Sequence, residues 1–133
     1  MLGEKPSFRK TAIACDRSID RGVMSNIFNL PSELPDSELL EPLVTGNDTL
    51  IERIVSTGQT TPPGQWYDQN RDEWVVLLQG KAIVSYEDGS QVKLKRGDYL
   101  LIPARTKHRV DYTSVDPPCI WLAIHGNFKY FRK

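Results

Sequence analysis

Seven short runs rich in β-branched and aromatic residues, each closed by Gly, Pro, Asp or Asn, constrain the fold of this chain more than any other feature. They cover 49–57, 73–79, 81–87, 91–95, 99–102, 108–113 and 119–125. Runs of this length at this spacing predict an all-β sandwich or barrel. Two turns stand out. Glu87-Asp88-Gly89-Ser90 contains Asp-Gly, whose tolerance of positive φ suits a tight hairpin. Gly97, between Arg96 and Asp98, suits a second tight turn. In the first run Leu50, Glu52, Ile54 and Ser56 alternate with Ile51, Arg53, Val55 and Thr57. Polarity does not separate these two sets, so its inner face stays open. In the last run Ile120, Leu122 and Ile124 are the more apolar set and are expected to face the core. Cys119, Trp121, Ala123 and His125 then lie opposite, because side chains alternate along a strand. On that reading His125 has an outer-sheet or interface role. It becomes a ligand candidate only if the Trp121 face is the interior.

The segment before the strands reads differently. Residues 1–23 mix basic and acidic side chains without a sustained period, and are expected to form a flexible leader. The apolar stretch at 11–15 is too short for a secretory signal, and Glu4, Asp16 and Asp20 argue against a transit peptide. Residues 23–30 suggest an initial strand or extended arm. Ser37 or Asp36 would cap a short helix through Glu38, Leu39, Leu40 and Leu43. The expected organisation is a leader at 1–23, a barrel with its arm at 24–126, and an aromatic, basic tail at 127–133 that folds back on the barrel. At 133 residues the chain is one domain's worth, and large enough to fold without disulfides or a structural metal. Lys+Arg and Asp+Glu number 17 each, so the net charge is zero and a nucleic-acid partner is not expected. No stretch approaches the length of a membrane span. Cys15 and Cys119 form no metal-type or redox-type pair, which suits a cytoplasmic chain with reduced thiols.

Residues 64–112 resemble the cupin superfamily of small β-barrels. The first motif of that family runs G-x5-H-x-H-x3or4-E-x6-G. Here Glu73 is followed by six residues and then Gly80. The second runs G-x5-P-x-G-x2-H-x3-N. Here Gly97 is followed by five residues and Pro103, with His108 at the histidine position. The hairpin between the motifs has the expected length. The resemblance implies a double-stranded β-helix, a jelly-roll-like barrel with a short N-terminal arm or helix.

The departures bear on chemistry. In family members that bind metal, two first-motif histidines join the glutamate and the second-motif histidine. This chain has Trp66-Tyr67-Asp68-Gln69 there. With three intervening residues the equivalent positions are Tyr67 and Gln69; with four they are Trp66 and Asp68. Arg105 replaces the second-motif glycine and Tyr112 its asparagine, so the backbone at Arg105 is expected to differ from the family's. Glu73, His108 and Asp68 offer donors for a divalent metal, Fe(II), Mn(II) or Zn(II). The same residues can instead form a metal-free pocket, with Glu73 as general base and His108 as acid or hydrogen-bond donor. A third reading is structural, with Glu and His satisfying each other in the barrel. Trp66, Tyr67, Gln69, Arg105 and Tyr112 are the candidate ligand contacts, Arg105 as a partner for an anionic substrate. Lys107 and Arg109 are expected to be solvated, and Trp74 to point outward.

The resemblance implies a small-molecule-binding barrel. It is either an enzyme of oxygenase, isomerase or decarboxylase type acting on a small organic acid or sugar-like substrate, or a non-catalytic ligand-binding or sensor protein without metal. A dimerising structural domain is the third class, and fold alone does not choose. Outward Trp74 and Trp121, with the 128–131 aromatics, suggest a homodimer. No phosphate loop, HExxH sequence or nucleophile elbow is present.

Overall fold

The computed structural model describes residues 24–130; the leader at 1–23 and the last three residues of the tail lie outside the described residues. Eight strands follow one another: β1 (Leu39–Gly46), β2 (Thr49–Ser56), β3 (Asp72–Gln79), β4 (Ala82–Tyr86), β5 (Gln91–Leu94), β6 (Tyr99–Ile102), β7 (His108–Thr113) and β8 (Cys119–Gly126). They form a five-stranded antiparallel sheet ordered β1-β2-β8-β3-β6 and a three-stranded one ordered β5-β4-β7. Ile54, Val75, Leu77 and Trp121 from the larger sheet and Ala82, Val84 and Leu94 from the smaller one belong to one buried core. This is the expected jelly-roll arrangement. Both turns form as predicted: Gly89 and Gly97 take φ near +91°, and Tyr86 and Ser90 close the Asp88-Gly89 hairpin.

Two expectations fail. The helix through Glu38–Leu43 does not exist; that stretch leads into β1, which pairs with β2 along its length. Pro42 is tolerated because β1 is an edge strand, and the register shifts beside it, between Pro42 and Val44. Strand pairing outweighs the capping signal, which is only a local preference. The inner face of β8 is also reversed. Cys119, Trp121 and Ala123 belong to the core cluster, and Leu122 and Ile124 are only partly buried on the outside. The central strand of the larger sheet has apolar residues on both faces, so apolarity could not tell inside from outside. Trp121 enters the interior because its indole nitrogen finds a partner there, the Ser56 hydroxyl at 3.2 Å.

Residues 24–38 form an arm without regular secondary structure. Arg53, outward on β2, pins it: the guanidinium donates to the carbonyls of Ile27 and Asn29 and pairs with Glu41. Gln59 holds the Asp36 carbonyl at 2.7 Å.

The tail does fold back. Asp72 accepts hydrogen bonds from the amides of Ala104 and Phe128 and from the Tyr130 hydroxyl. Burial alone would raise the Asp72 carboxyl; these three donors outweigh it and hold it below its ordinary value. A lowered carboxyl contributes stability that is present above the ordinary carboxylate value and lost as pH falls through the lowered one. Tail docking is therefore expected to persist at neutral pH and weaken below about pH 4. Asp72→Asn should mimic the acid state, costing about 1–3 kcal/mol and exposing the Phe128 amide to hydrogen exchange. Unchanged exchange there would show that Asp72 does not hold the tail.

Candidate functional site

The long β2–β3 connection positions one wall of the site. Thr61 bonds to Val110 through its backbone amide and its hydroxyl, and Tyr67 exchanges both backbone hydrogen bonds with His108. The segment thus runs as an extra antiparallel edge along β7. Tyr67 and His108 sit directly opposite, with ring centroids 5.2 Å apart. Both are buried. His108 Nδ1 lies 2.8 Å from the Thr106 carbonyl. A carbonyl only accepts, so Nδ1 carries a hydrogen, and in the neutral ring Nε2 is the acceptor.

Glu73 enters from β3, whose inward set is Glu73, Val75 and Leu77, all nearly fully buried. The Gln69 side-chain amide nitrogen donates to Glu73 Oε1 at 3.0 Å. The field of Glu73 reaches across the interior: burial, then the charges of Glu73 and Asp88, push the Tyr86 hydroxyl above its ordinary value. A second carboxylate comes from a residue that the sequence had placed in a helix. Glu38, 3% exposed, accepts from the Ser56 hydroxyl at 2.7 Å, which in turn accepts from Trp121 Nε1. Glu38, Tyr67, Glu73 and His108 line one cavity with apolar walls that include Val84 and Trp121. Its free space is about 30 Å³, room for a ligand group of water size.

The structure thus brings together Tyr67, Glu73 and His108, with Gln69 bound to Glu73. It does not bring in the other candidates. Three intervening residues, not four, is the spacing that applies: Tyr67 and Gln69 are buried, whereas Trp66 and Asp68 are only partly so. Asp68 faces Arg105, with Nε to Oδ1 at 3.3 Å, so neither serves the cavity. Arg105 takes the left-handed backbone that favours glycine, with φ of 64°, so this turn carries a side chain in a conformation that glycine adopts at less cost. The Arg105 amide donates to the Gln69 carbonyl at 2.7 Å. Trp66 lies under the Arg109 guanidinium. Arg109 is not a solvated charge: it donates to the carbonyls of Thr61, Pro62 and Gln65 and pairs with Asp111. Burial would raise the Asp111 carboxyl, but bonds from Ser85 and Arg109, with the charge of Arg109, hold it down. Tyr112 points away from the cavity and is 46% exposed.

His125 is buried on the inner face with the Trp121 set, so the condition for its candidacy is met. It is committed elsewhere, with Nε2 at 2.7 Å from Glu52 Oε2, and it does not line the cavity. Metal-binding cupins carry histidines at the positions of Tyr67 and Gln69. A carboxylate accepts, so Gln69 turns its amide nitrogen, which is no metal donor, toward Glu73. Among the described residues no group of three or more His, Cys, Asp or Glu side chains is arranged to hold a metal ion. The residues present do not fit the divalent ion that metal-binding cupins hold. Glu38, Ser56 and Trp121 are the site residues that sequence reasoning missed. Reading 38–46 as a strand would have put Glu38 on the same face as Leu40.

The chain is 28% identical over 87 residues to the uncharacterized protein YdbB of Bacillus subtilis, an alignment spanning 65% of this chain and 74% of YdbB. Among solved structures it resembles a candidate mannose-6-phosphate isomerase from Ralstonia eutropha JMP134. Identity there is 39%, TM-score 0.73, covering 80% of this chain and 99% of the other. A cupin superfamily protein from Desulfitobacterium hafniense shares the fold at 19% identity and a TM-score of 0.59, covering 78% and 100%. The profile of the Cupin domain family matches residues 53–125, the stretch that holds Tyr67, Gln69, Glu73 and His108. The chain belongs to the cupin family.

Proposed function

We propose that this cupin binds a small molecule through the cavity between Glu38, Tyr67, Glu73 and His108, without a metal. The observation that carries the reading is the occupancy of the two histidine positions by Tyr67 and Gln69. One closes against His108 and the other donates to Glu73. A few convergent polar groups in an apolar wall are what a ligand pocket requires. Untagged protein dialysed against Fe(II), Mn(II) or Zn(II) is expected to retain far less than one ion per chain. Near-stoichiometric retention that is lost in Glu73→Gln would overturn the metal-free reading.

A second reading is turnover of isomerase type, favoured by the 39% identity to the candidate isomerase. Glu73 would act as base and His108, in its imidazolium form with Nε2 protonated, as acid. A sugar-isomerase assay in which Glu73→Gln and His108→Ala abolish activity supports it. Equal rates in wild type and both variants exclude it.

Assembly as a homodimer belongs to the same proposal. Trp74 does face outward and packs on Tyr99 with centroids 5.4 Å apart. Leu101, Ile124, Phe128 and Tyr130 complete an outer cleft of about 670 Å³, to which Trp121 does not contribute. Sedimentation equilibrium of wild type and Trp74→Ser tests it; a strictly monomeric wild type ends it. Among the described residues no helix is long and apolar enough to cross a membrane.

A further inference from the structure

We infer that Asp72 is a positioning residue for the pocket, through which the C-terminal tail steadies the turn that orients His108 and Gln69. The inference rests on the pocket reading above and concerns how that pocket is held. Asp72 opens β3 directly before Glu73 and does not line the cavity. Its carboxylate gathers two segments that are distant in sequence. Oδ1 accepts from the Ala104 amide at 2.8 Å and from the Tyr130 hydroxyl at 3.2 Å, and Oδ2 accepts from the Phe128 amide at 3.0 Å. Ala104 belongs to the turn between β6 and β7, Phe128 and Tyr130 to the tail.

That turn is one that needs support. The Thr106 amide donates to the Pro103 carbonyl at 3.3 Å and closes four residues, the third of which is Arg105 at φ of 64°. A turn with positive φ at its third residue favours glycine there, and a side chain in that conformation persists only where its surroundings fix it. Three contacts do so: Asp72 on the Ala104 amide, the Gln69 carbonyl on the Arg105 amide, and Asp68 on the Arg105 guanidinium. The turn then bears on the pocket from two sides. Its Thr106 carbonyl lies 2.8 Å from His108 Nδ1 and fixes the tautomer of that ring. Its Arg105 amide anchors the backbone of Gln69, whose side chain donates to Glu73. A carboxylate held by three donors keeps one orientation. Without the two tail donors Asp72 can rotate toward water, and the Ala104 amide loses a fixed acceptor.

The experiment compares the full chain with Tyr130→Phe, which removes one donor to Asp72 at a residue outside the cavity lining. It reads amide hydrogen exchange together with the ring-nitrogen resonances of His108. Exchange at Phe128, Ala104 and Arg105 should quicken together by roughly tenfold, the scale of one hydrogen bond to a charged group. The His108 ring nitrogens should move toward the values of mixed tautomers, while the Tyr86 amide, in the Asp88-Gly89 hairpin, keeps its wild-type rate. Faster exchange at Phe128 alone overturns the coupling, as does a loosened turn beside an unmoved His108 ring. Equal acceleration at Tyr86 means general destabilisation and overturns it too, and so does a variant indistinguishable from wild type. Asp72→Asn should enlarge the same pattern, because it turns an amide donor toward groups that themselves donate; a folded Asp72→Asn with a wild-type turn removes Asp72 as the link. Tyr130→Phe decides even should that variant fail to fold. None of these readouts uses a ligand, so a cavity that binds nothing would end the pocket reading and leave the coupling standing.

Discussion

A chain carrying Tyr67→His and Gln69→His together is expected to bind one divalent ion where the wild type binds essentially none. The backbone already sets both positions toward Glu73 and His108: Tyr67 is bridged to the His108 backbone and Gln69 reaches Glu73 at 3.0 Å. Imidazoles there would supply two nitrogen donors to a site that otherwise offers one carboxylate and one imidazole, the set that Fe(II), Mn(II) and Zn(II) accept. Loss of a single outer partner typically costs 10–100-fold in metal affinity. Gaining two direct donors should therefore raise affinity by at least about a hundredfold. Metal analysis after dialysis measures it, and Glu73→Gln in the double variant should reverse it. A folded double variant with no more metal than wild type would show that positions 67 and 69 do not converge with Glu73 and His108.

The contrast between fold and site shows what the residue pattern carries. Turn chemistry at Asp88-Gly89 and Gly97, with β-branched runs between, delimited β2 to β8 to within a residue or two. Those signals are local, and the structure keeps them. β1 was missed because Ser37, Asp36 and the leucines satisfy a helix cap equally well, and only pairing with β2 decides. The site was half legible. Glu73 and His108 follow from motif spacing. The parity of 66–69 does not, because polar residues from 68 to 72 hide whether the chain alternates or bulges. Its answer lies in the bridge from Tyr67 to His108, a contact across 41 positions of sequence. The face of β8 was read backwards, since a strand central to a sheet can bury both sides. Glu38 was invisible for a related reason: its role depends on Ser56 and Trp121, and Trp121 had been assigned to the outside.

Gly80→Ala should be among the most damaging single-methyl changes in the barrel, costing about 2–4 kcal/mol, from overpacking plus the left-handed penalty. Gly80 ends the first motif with φ of 92°, a conformation that side chains resist. An added Cβ would lie 2.7 Å from Ser114 Oγ, 2.8 Å from Cys119 Sγ and 2.9 Å from Cys119 Cα. None of these can yield cheaply. Ser114 Oγ donates to the Pro117 carbonyl and accepts from the Lys81 amide. Cys119 Sγ donates to the Lys81 carbonyl, and Cys119 Cα is backbone in the central strand β8. Gly89 is the control. It has nearly the same φ, 91°, but nothing stands within 4 Å of its added Cβ. Gly89→Ala should therefore cost only the backbone strain, about 1 kcal/mol. Thermal melts should show Gly80→Ala lower by roughly ten degrees and Gly89→Ala by a few. Equal losses would mean that the packing around Gly80 relaxes freely. Loss mainly at Gly89 would mean that hairpin closure, rather than the packing of Gly80 against Ser114 and Cys119, limits the stability of the barrel.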